Sequence, residues 1–185
     1  MHFALPRRRS AYTLVELFLT LAVLMILLGM MINLANRVRH ESAEKATRQI
    51  LSRLIVLMNE YQKQYDGNLP PISPLIAEGR RPSELSLQTA AVANSADVVR
   101  YLNLRALAQK NGTDDDPLFR SLRQNDAQQW ILEDPWGSPV VFMPREDPAI
   151  GLPPGNVFFL FSAGPDRLFL TREDNVYSYE EAGRE

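Results

Sequence analysis

The feature that most constrains this chain is an unbroken apolar run near its start. Residues 14–34 read LVELFLTLAVLMILLGMMINL, and Glu16 is the only charged residue among them. A helix of this length spans about 30 Å, which is the thickness of the hydrocarbon core of a bilayer. Arg7, Arg8 and Arg9 precede the run, and basic residues in that position predict that this end stays in the cytoplasm. The run therefore predicts a single membrane-spanning helix.

Three ordinary explanations of this run compete. A secretory signal has an apolar core of about 7–15 residues followed by a small-x-small cleavage site. This apolar run is longer, and residues 33–40, NLANRVRH, contain no strong cleavage site. A twin-arginine signal is suggested by RRRSAYTL, but Glu16 is out of character for one. A plain anchor fits the length and leaves Glu16 unexplained, because a carboxylate at the centre of a membrane helix costs about 2.5–3.5 kcal/mol. A position near the end of the span, within reach of water, would make that cost small.

The segment SAYTLVEL, residues 10–17, resembles the N-terminal processing motif of type IV pilins and type II secretion pseudopilins. In that family a short basic leader ends in a small residue, usually glycine. An aromatic residue follows, and a glutamate comes four residues later. The prepilin peptidase cuts before the aromatic residue and methylates the new amine. The resemblance implies cleavage between Ala11 and Tyr12 and N-methylation of Tyr12, with Ala11 standing where glycine is usual.

The resemblance also implies a role for Glu16 in assembly. Cleavage creates a positive amine at Tyr12, and a buried amine and a buried carboxylate each need an opposite charge. In a helical filament, Glu16 of one subunit would meet the Tyr12 amine of its neighbour. This pairing would give the acid inside the apolar run a function.

The helical pattern continues beyond the apolar run. Apolar residues recur at steps of three and four over residues 43–65, which gives the helix one apolar face. No proline interrupts the chain between Pro6 and Pro70, so nothing forces a break. We predict one helix from Tyr12 to Tyr65, ended by the turn residues Asp66-Gly67-Asn68.

The expected domain organisation has four segments. They are a leader peptide (1–11), the transmembrane and assembly half of the helix (12–35), its amphipathic half (36–65) and a globular periplasmic domain with short helices and a C-terminal sheet (66–185). The predicted fold class is α+β, in which the long helix packs on a small antiparallel sheet as in a pilin.

The globular part carries weaker local signals. Residues 83–110 are rich in alanine and leucine and predict one or two short helices, with Asp97 as a plausible N-cap and Asn111-Gly112 as a stop. Residues 111–128 are polar and predict a surface excursion. Three predicted strands, rich in β-branched and aromatic residues, occupy residues 140–143, 157–162 and 175–178. The continuous apolar character of the second predicts burial on both of its sides.

Two C-terminal segments extend the resemblance to the major pseudopilin of type II secretion. DPWG occupies residues 134–137 and FSAGPD occupies residues 161–166. In the family, a loop after the second segment folds around calcium, which takes six to eight oxygen ligands. The resemblance therefore implies a structural calcium site formed by Ser162, Asp166, Glu173 and Asp174. The alternative is that the first aspartate caps a turn and the two later acids face solvent.

Composition excludes several classes of function. The chain has no cysteine, two histidines, 20 basic and 22 acidic residues. Thiolate catalysis and disulfides are therefore excluded, and the lack of a basic excess argues against a nucleic-acid partner. Phosphate-loop, GxSxG and HExxH motifs are absent from the sequence. We expect a structural protein and not an enzyme.

The resemblance implies a structural pseudopilin of a type II secretion system. The precursor would sit in the bacterial inner membrane with its globular domain in the periplasm. After processing it would polymerise with itself and other pseudopilins, on an inner-membrane secretion platform, into a pseudopilus that drives protein export. Two alternatives stay open: a type IV pilin for adhesion or motility, and an uncleaved, membrane-anchored periplasmic binding module.

Overall fold

The computed structural model describes residues 13–76, 82–111, 116–155 and 158–179. The fold is α+β, with a long N-terminal helix and a small C-terminal antiparallel sheet, as predicted. In chain order the elements are helix α1 (Leu14–Gln64), helix α2 (Glu84–Tyr101), helix α3 (Leu104–Asn111), helix α4 (Pro117–Arg120) and strands β1 (Leu122–Gln124), β2 (Trp130–Leu132), β3 (Val141–Met143), β4 (Phe159–Ser162) and β5 (Val176–Tyr177). The chain divides into two compact units, Met1–Arg39 and His40–Glu185.

Helix α1 confirms the prediction of one helix that continues beyond the apolar run. It ends where the turn chemistry predicts, because Asp66 and Gly67 both adopt positive φ angles of 52° and 83°. The Gly67 N–H donates to the Gln62 carbonyl oxygen at 2.7 Å, which satisfies one of the last helical carbonyl groups. The predicted start at Tyr12 lies outside the described residues.

The described part of the first unit is an exposed apolar helix. The large apolar side chains of residues 14–34 are between 47% and 74% exposed. Helix α1 contains an 18-residue window of mean hydropathy 2.5 with no residue buried. It is therefore long and apolar enough to cross a membrane, and it is compatible with a membrane anchor. Signal sequences pass the same test of length and composition.

The second half of α1 is amphipathic, as its spacing predicts. Ile50, Leu51, Leu54 and Met58 are fully or almost fully buried and recur at steps of one, three and four. They belong to a first core cluster that also contains residues of α2, α3, α4 and both sheets. Burial of each such side chain stabilises the fold by about 1.5–3 kcal/mol.

The strands form two antiparallel sheets, β1-β2 and β3-β4-β5. Every residue of β4 is buried, as its continuous apolar sequence predicts. Leu160 points into the first core cluster, whereas Phe159 and Phe161 point into a second cluster. Because successive side chains of a strand point to opposite faces, the three-stranded sheet is covered on both sides.

Helices α2 and α3 confirm the prediction of one or two short helices in residues 83–110. The N-cap of α2 is Ser83, which forms a reciprocal capping box with Ser86. The prediction that Asp97 is an N-cap was wrong. Asp97 lies inside α2, where its Oδ2 accepts hydrogen bonds from the Ser73 N–H at 2.9 Å and the Ser73 hydroxyl at 2.6 Å. It anchors the preceding loop to the helix.

Two adjacent polar residues of α2 serve as hydrogen-bonding partners for the sheets. The Asn94 amide donates to the Phe142 carbonyl at 3.0 Å and accepts from the Phe142 N–H at 2.8 Å, so it completes the outer edge of β3. The Ser95 hydroxyl likewise donates to the Leu132 carbonyl of β2 at 3.1 Å and accepts the Leu132 N–H at 3.0 Å. Both side chains are buried, and α2 is thereby fixed to both sheets.

The segment before β2 also differs from expectation. The sequence predicts a polar surface excursion over residues 111–128, but this segment contains α4 and β1. Asp116 caps α4 by accepting the Leu118 N–H at 2.9 Å. Leu118 and Phe119 are buried in the first core cluster. Two apolar residues between charged ones leave too short a pattern to predict a helix.

Replacement of Asn94 tests how much the α2 contacts stabilise the domain. Asn94→Leu keeps the number of side-chain heavy atoms but leaves the N–H and C=O of Phe142 buried without partners. We expect the free energy of unfolding to fall by about 2–4 kcal/mol, measured by urea unfolding in detergent solution. Gln88→Leu, at an exposed position of the same helix, is the control and should change it by less than about 0.5 kcal/mol. Equal stability of the two variants would contradict this role.

Candidate functional site

The N-terminal motif is described from Thr13 onward, and Ala11 and Tyr12 lie outside the described residues. Glu16 lies in the first turn of α1 and is exposed. Its Oε2 accepts the N–H and the hydroxyl of Thr13, both at 3.1 Å. In return, the Thr13 hydroxyl oxygen accepts the Glu16 N–H at 3.2 Å. Thr13 and Glu16 therefore form a capping box at the start of the helix.

This geometry gives Glu16 two possible roles. A glutamate three residues after an N-cap threonine stabilises a helix start by satisfying otherwise unpaired N–H groups, and its charge interacts favourably with the helix dipole. That local role needs an acceptor oxygen but no neighbouring subunit. The predicted assembly role needs the negative charge itself. A glutamine at this position can still complete a capping box, so the two roles are separable by mutation.

The four residues of the predicted calcium site have different surroundings. Ser162 is completely buried. Its hydroxyl donates to Asp134, and its oxygen accepts the Gly164 N–H at 3.0 Å. Asp166 accepts the Leu168 N–H at 2.9 Å, which is the turn-capping alternative. Glu173 and Asp174 are exposed.

The described geometry does not gather these residues into a metal site. Within the described ranges, no three Asp, Glu or His side chains lie close enough together to hold a metal ion. The Ser162 oxygen, already engaged by two protein groups, is poorly placed as a ligand. Calcium binding by the four residues therefore stays a prediction.

Asp134, in the DPWG segment, is a structural residue that the sequence analysis does not single out. Its side chain is buried. The Oδ1 atom accepts the N–H groups of Trp136 at 2.9 Å and Ser138 at 2.8 Å, while Oδ2 accepts the Ser162 hydroxyl. One carboxylate thus ties the turn between β2 and β3 to the end of β4. The available signal for this residue was its position at the start of a turn that contains proline and glycine.

Burial raises the pKa of the Asp134 carboxyl above its ordinary value of 3.8, and the hydrogen bonds from Ser162, Ser138, Trp136 and Gly137 oppose that rise. Desolvation disfavours the charged form, whereas donors stabilise it. The folded protein therefore binds a proton at this site more tightly than the unfolded chain does. This contribution to stability is fully present below pH 3.8 and is lost as the pH rises through the raised pKa.

A groove of about 530 Å³ lies among α3, α4, β1 and β2. The Arg105 guanidinium stacks over the Trp130 ring at 4.9 Å from its centroid, in a cation–π contact. Arg120 and Arg123 also line the groove, with Phe119 and Leu122 as apolar walls. Its described lining offers cationic and aromatic groups for binding but no acid, general base or nucleophile. No spacing pattern in the sequence predicts this groove.

Asp134→Asn tests the electrostatic role of the buried carboxyl. The amide keeps an oxygen for the two turn N–H groups and gains a donor toward Ser162, and it carries no charge to desolvate. We expect the stability of the variant, relative to the unaltered protein, to increase as the pH rises from 4 to 7, measured by thermal unfolding in detergent. Asp166→Asn, at a half-buried site that keeps its acceptor oxygen, should follow the unaltered protein. Parallel pH profiles for all three proteins would contradict the raised pKa.

Comparison with protein-family models, with curated proteins and with solved structures finds no match for this chain.

Proposed function

We propose that this protein is a structural pseudopilin of a type II secretion system. The observation that carries the proposal is the combination of SAYTLVEL with a long helix that begins inside that motif and whose first, apolar half is exposed. Neither part is specific alone. Together they provide a processing site, a membrane segment and an acid placed at the start of the segment.

The apolar surface supports a protein that exchanges lipid for neighbouring subunits. Large exposed side chains surround α1 over residues 14–34, and a soluble monomer rarely tolerates so extensive an apolar surface. In the precursor, lipid covers this surface. In a filament, the same surface packs against equivalent helices of other subunits, so that the segment serves first as an anchor and then as an assembly element.

Processing changes the electrostatics at the start of the helix. Removal of residues 1–11 takes away three arginines and creates an amine at Tyr12, next to the Thr13–Glu16 capping box. Between apolar helices, an unpaired charge costs several kcal/mol. Pairing of the methylated Tyr12 amine with Glu16 of a neighbouring subunit offsets that cost and favours one axial register.

The proposal specifies location and partners. The precursor lies in the bacterial inner membrane with a cytoplasmic N-terminus and a periplasmic globular domain. Its partners are the prepilin peptidase, other copies of itself, further pseudopilins and the inner-membrane secretion platform. The assembled pseudopilus acts mechanically in protein export and performs no chemical step.

Two other functions have specific support. A type IV pilin would share the processing motif, but the DPWG segment and the lack of a cysteine pair favour the secretion assignment. An uncleaved membrane-anchored binding module is favoured by the groove beside Trp130. Processing separates the binding module from the other two, and loss of protein export, as opposed to loss of surface pili, separates pseudopilin from pilin.

Variants of the capping box test the assembly role of Glu16. Glu16→Gln keeps the box but removes the charge, whereas Thr13→Ala weakens the box and keeps the charge. We expect Glu16→Gln to insert in the membrane and lose at least about tenfold of its filament yield, because one uncompensated buried amine per subunit remains. Thr13→Ala should retain most of its yield. Yield is measured by shearing and sedimentation of filaments from cells that overproduce the secretion system.

Processing is monitored in the same samples, so that a block in cleavage is not mistaken for a block in assembly. Normal filament yield from Glu16→Gln would refute the charge-pairing role. Loss of filaments from Thr13→Ala, with Glu16→Gln unaffected, would assign this pair of residues to helix capping alone.

A further inference from the structure

The loop between β4 and β5, residues 163–175, is the segment that the family resemblance associates with calcium. The side chains of the described residues do not form a carboxylate cluster for that ion. Ser162 is completely buried and bonded to Asp134 and Gly164, and no three carboxylates or histidines of the described residues converge. Calcium needs six to eight oxygen ligands. Contacts within the protein must therefore hold this loop.

Direct contact between the two ends closes the loop. Gly164 has a positive φ of 69°, and a Cβ atom built on it would lie 1.9 Å from the carbonyl oxygen of Asp174. The two backbones are therefore too close for any side chain at position 164, and only glycine permits the approach. The neck of the loop needs no bridging ion.

The middle of the loop is held by a carboxylate from α2. Glu84 Oε2 accepts the Phe169 N–H at 2.9 Å, and Oε1 accepts the Leu170 N–H at 2.6 Å. Hydrogen bonds to a charged acceptor are about twice as strong as neutral ones. Glu84 is the first residue of α2, directly after the Ser83 cap, so its position is fixed by the capping box.

Burial of the loop's aromatic residue adds to this contact. Phe169 is 1% exposed and meets Phe161 edge to face, with ring centroids 5.9 Å apart. The Asn175 side chain, also buried, donates to the Phe169 carbonyl at 3.0 Å. The Phe169 N–H, carbonyl and ring therefore all have protein partners.

We infer that Glu84 holds this loop in place of a metal ion, and that the globular unit folds without calcium. A calcium ion and the Glu84 carboxylate would hold the loop through opposite kinds of group. Calcium gathers oxygen atoms, whereas the Glu84 carboxylate gathers backbone N–H groups. The inference concerns folding of the unit and does not depend on the proposed function.

Limited proteolysis of the full chain in detergent tests the inference. Trypsin cuts after Arg167 and Arg172, inside the loop, and mass spectrometry reports cleavage at these bonds. We expect Glu84→Ala to raise the cleavage rate about tenfold over that of Glu60→Ala, an exposed carboxylate on α1, because loss of a charge-assisted contact favours the open loop. Glu84→Gln, with one acceptor oxygen left, should fall between them.

The unaltered chain supplies a test that needs no variant. Its cleavage rate and melting temperature should be the same in excess chelator and in millimolar calcium. Two results would overturn the inference: saturable protection of the loop by calcium that Asp166→Asn with Asp174→Asn removes, or equal cleavage of Glu84→Ala and Glu60→Ala. Failure of prepilin processing would leave all these readouts unchanged, so the two proposals fail separately.

Discussion

The exposed apolar surface of residues 14–34 is the constraint on which the account depends. Each large side chain that leaves water contributes about 1.5–3 kcal/mol, so the whole segment gains tens of kcal/mol by finding an apolar environment. Lipid and a bundle of identical helices both provide one. The same helix, α1, contains this segment and also contributes residues to the core of the globular unit. The apolar segment and the globular unit are therefore covalently connected through α1.

The globular unit uses carboxylates as anchors for backbone. Asp97 holds Ser73, Asp134 holds the turn before β3, and Glu84 holds the loop after β4. Each accepts at least two hydrogen bonds, and two of the three lie on α2. Short strands of two to four residues provide few ladder hydrogen bonds, so these side chains fix loops that the small sheets cannot fix alone.

The sequence was sufficient where a pattern was long or locally determined. The continuous apolar run and the three-four spacing predicted α1, the Asp66-Gly67 turn predicted its end, and unbroken apolar residues predicted a buried β4. It was insufficient where structure depends on distant contacts. Strand β1 and helix α4 are too short to show a periodic pattern of apolar residues. Asn94 forms its hydrogen bond with Phe142, 48 residues away in the sequence. Thr13 and Glu16 have capping-box spacing, whereas nothing in the local sequence connects Glu84 to Phe169.

Intact mass of the protein, with mapping of its N-terminal peptide, tests the central claim most directly. The protein is produced in cells with and without a prepilin peptidase. We predict a mature chain that begins at N-methylated Tyr12, found only when the peptidase is present. A chain that keeps Met1 under both conditions, or one cut after the apolar run, would contradict it and would favour an anchored or secreted binding module.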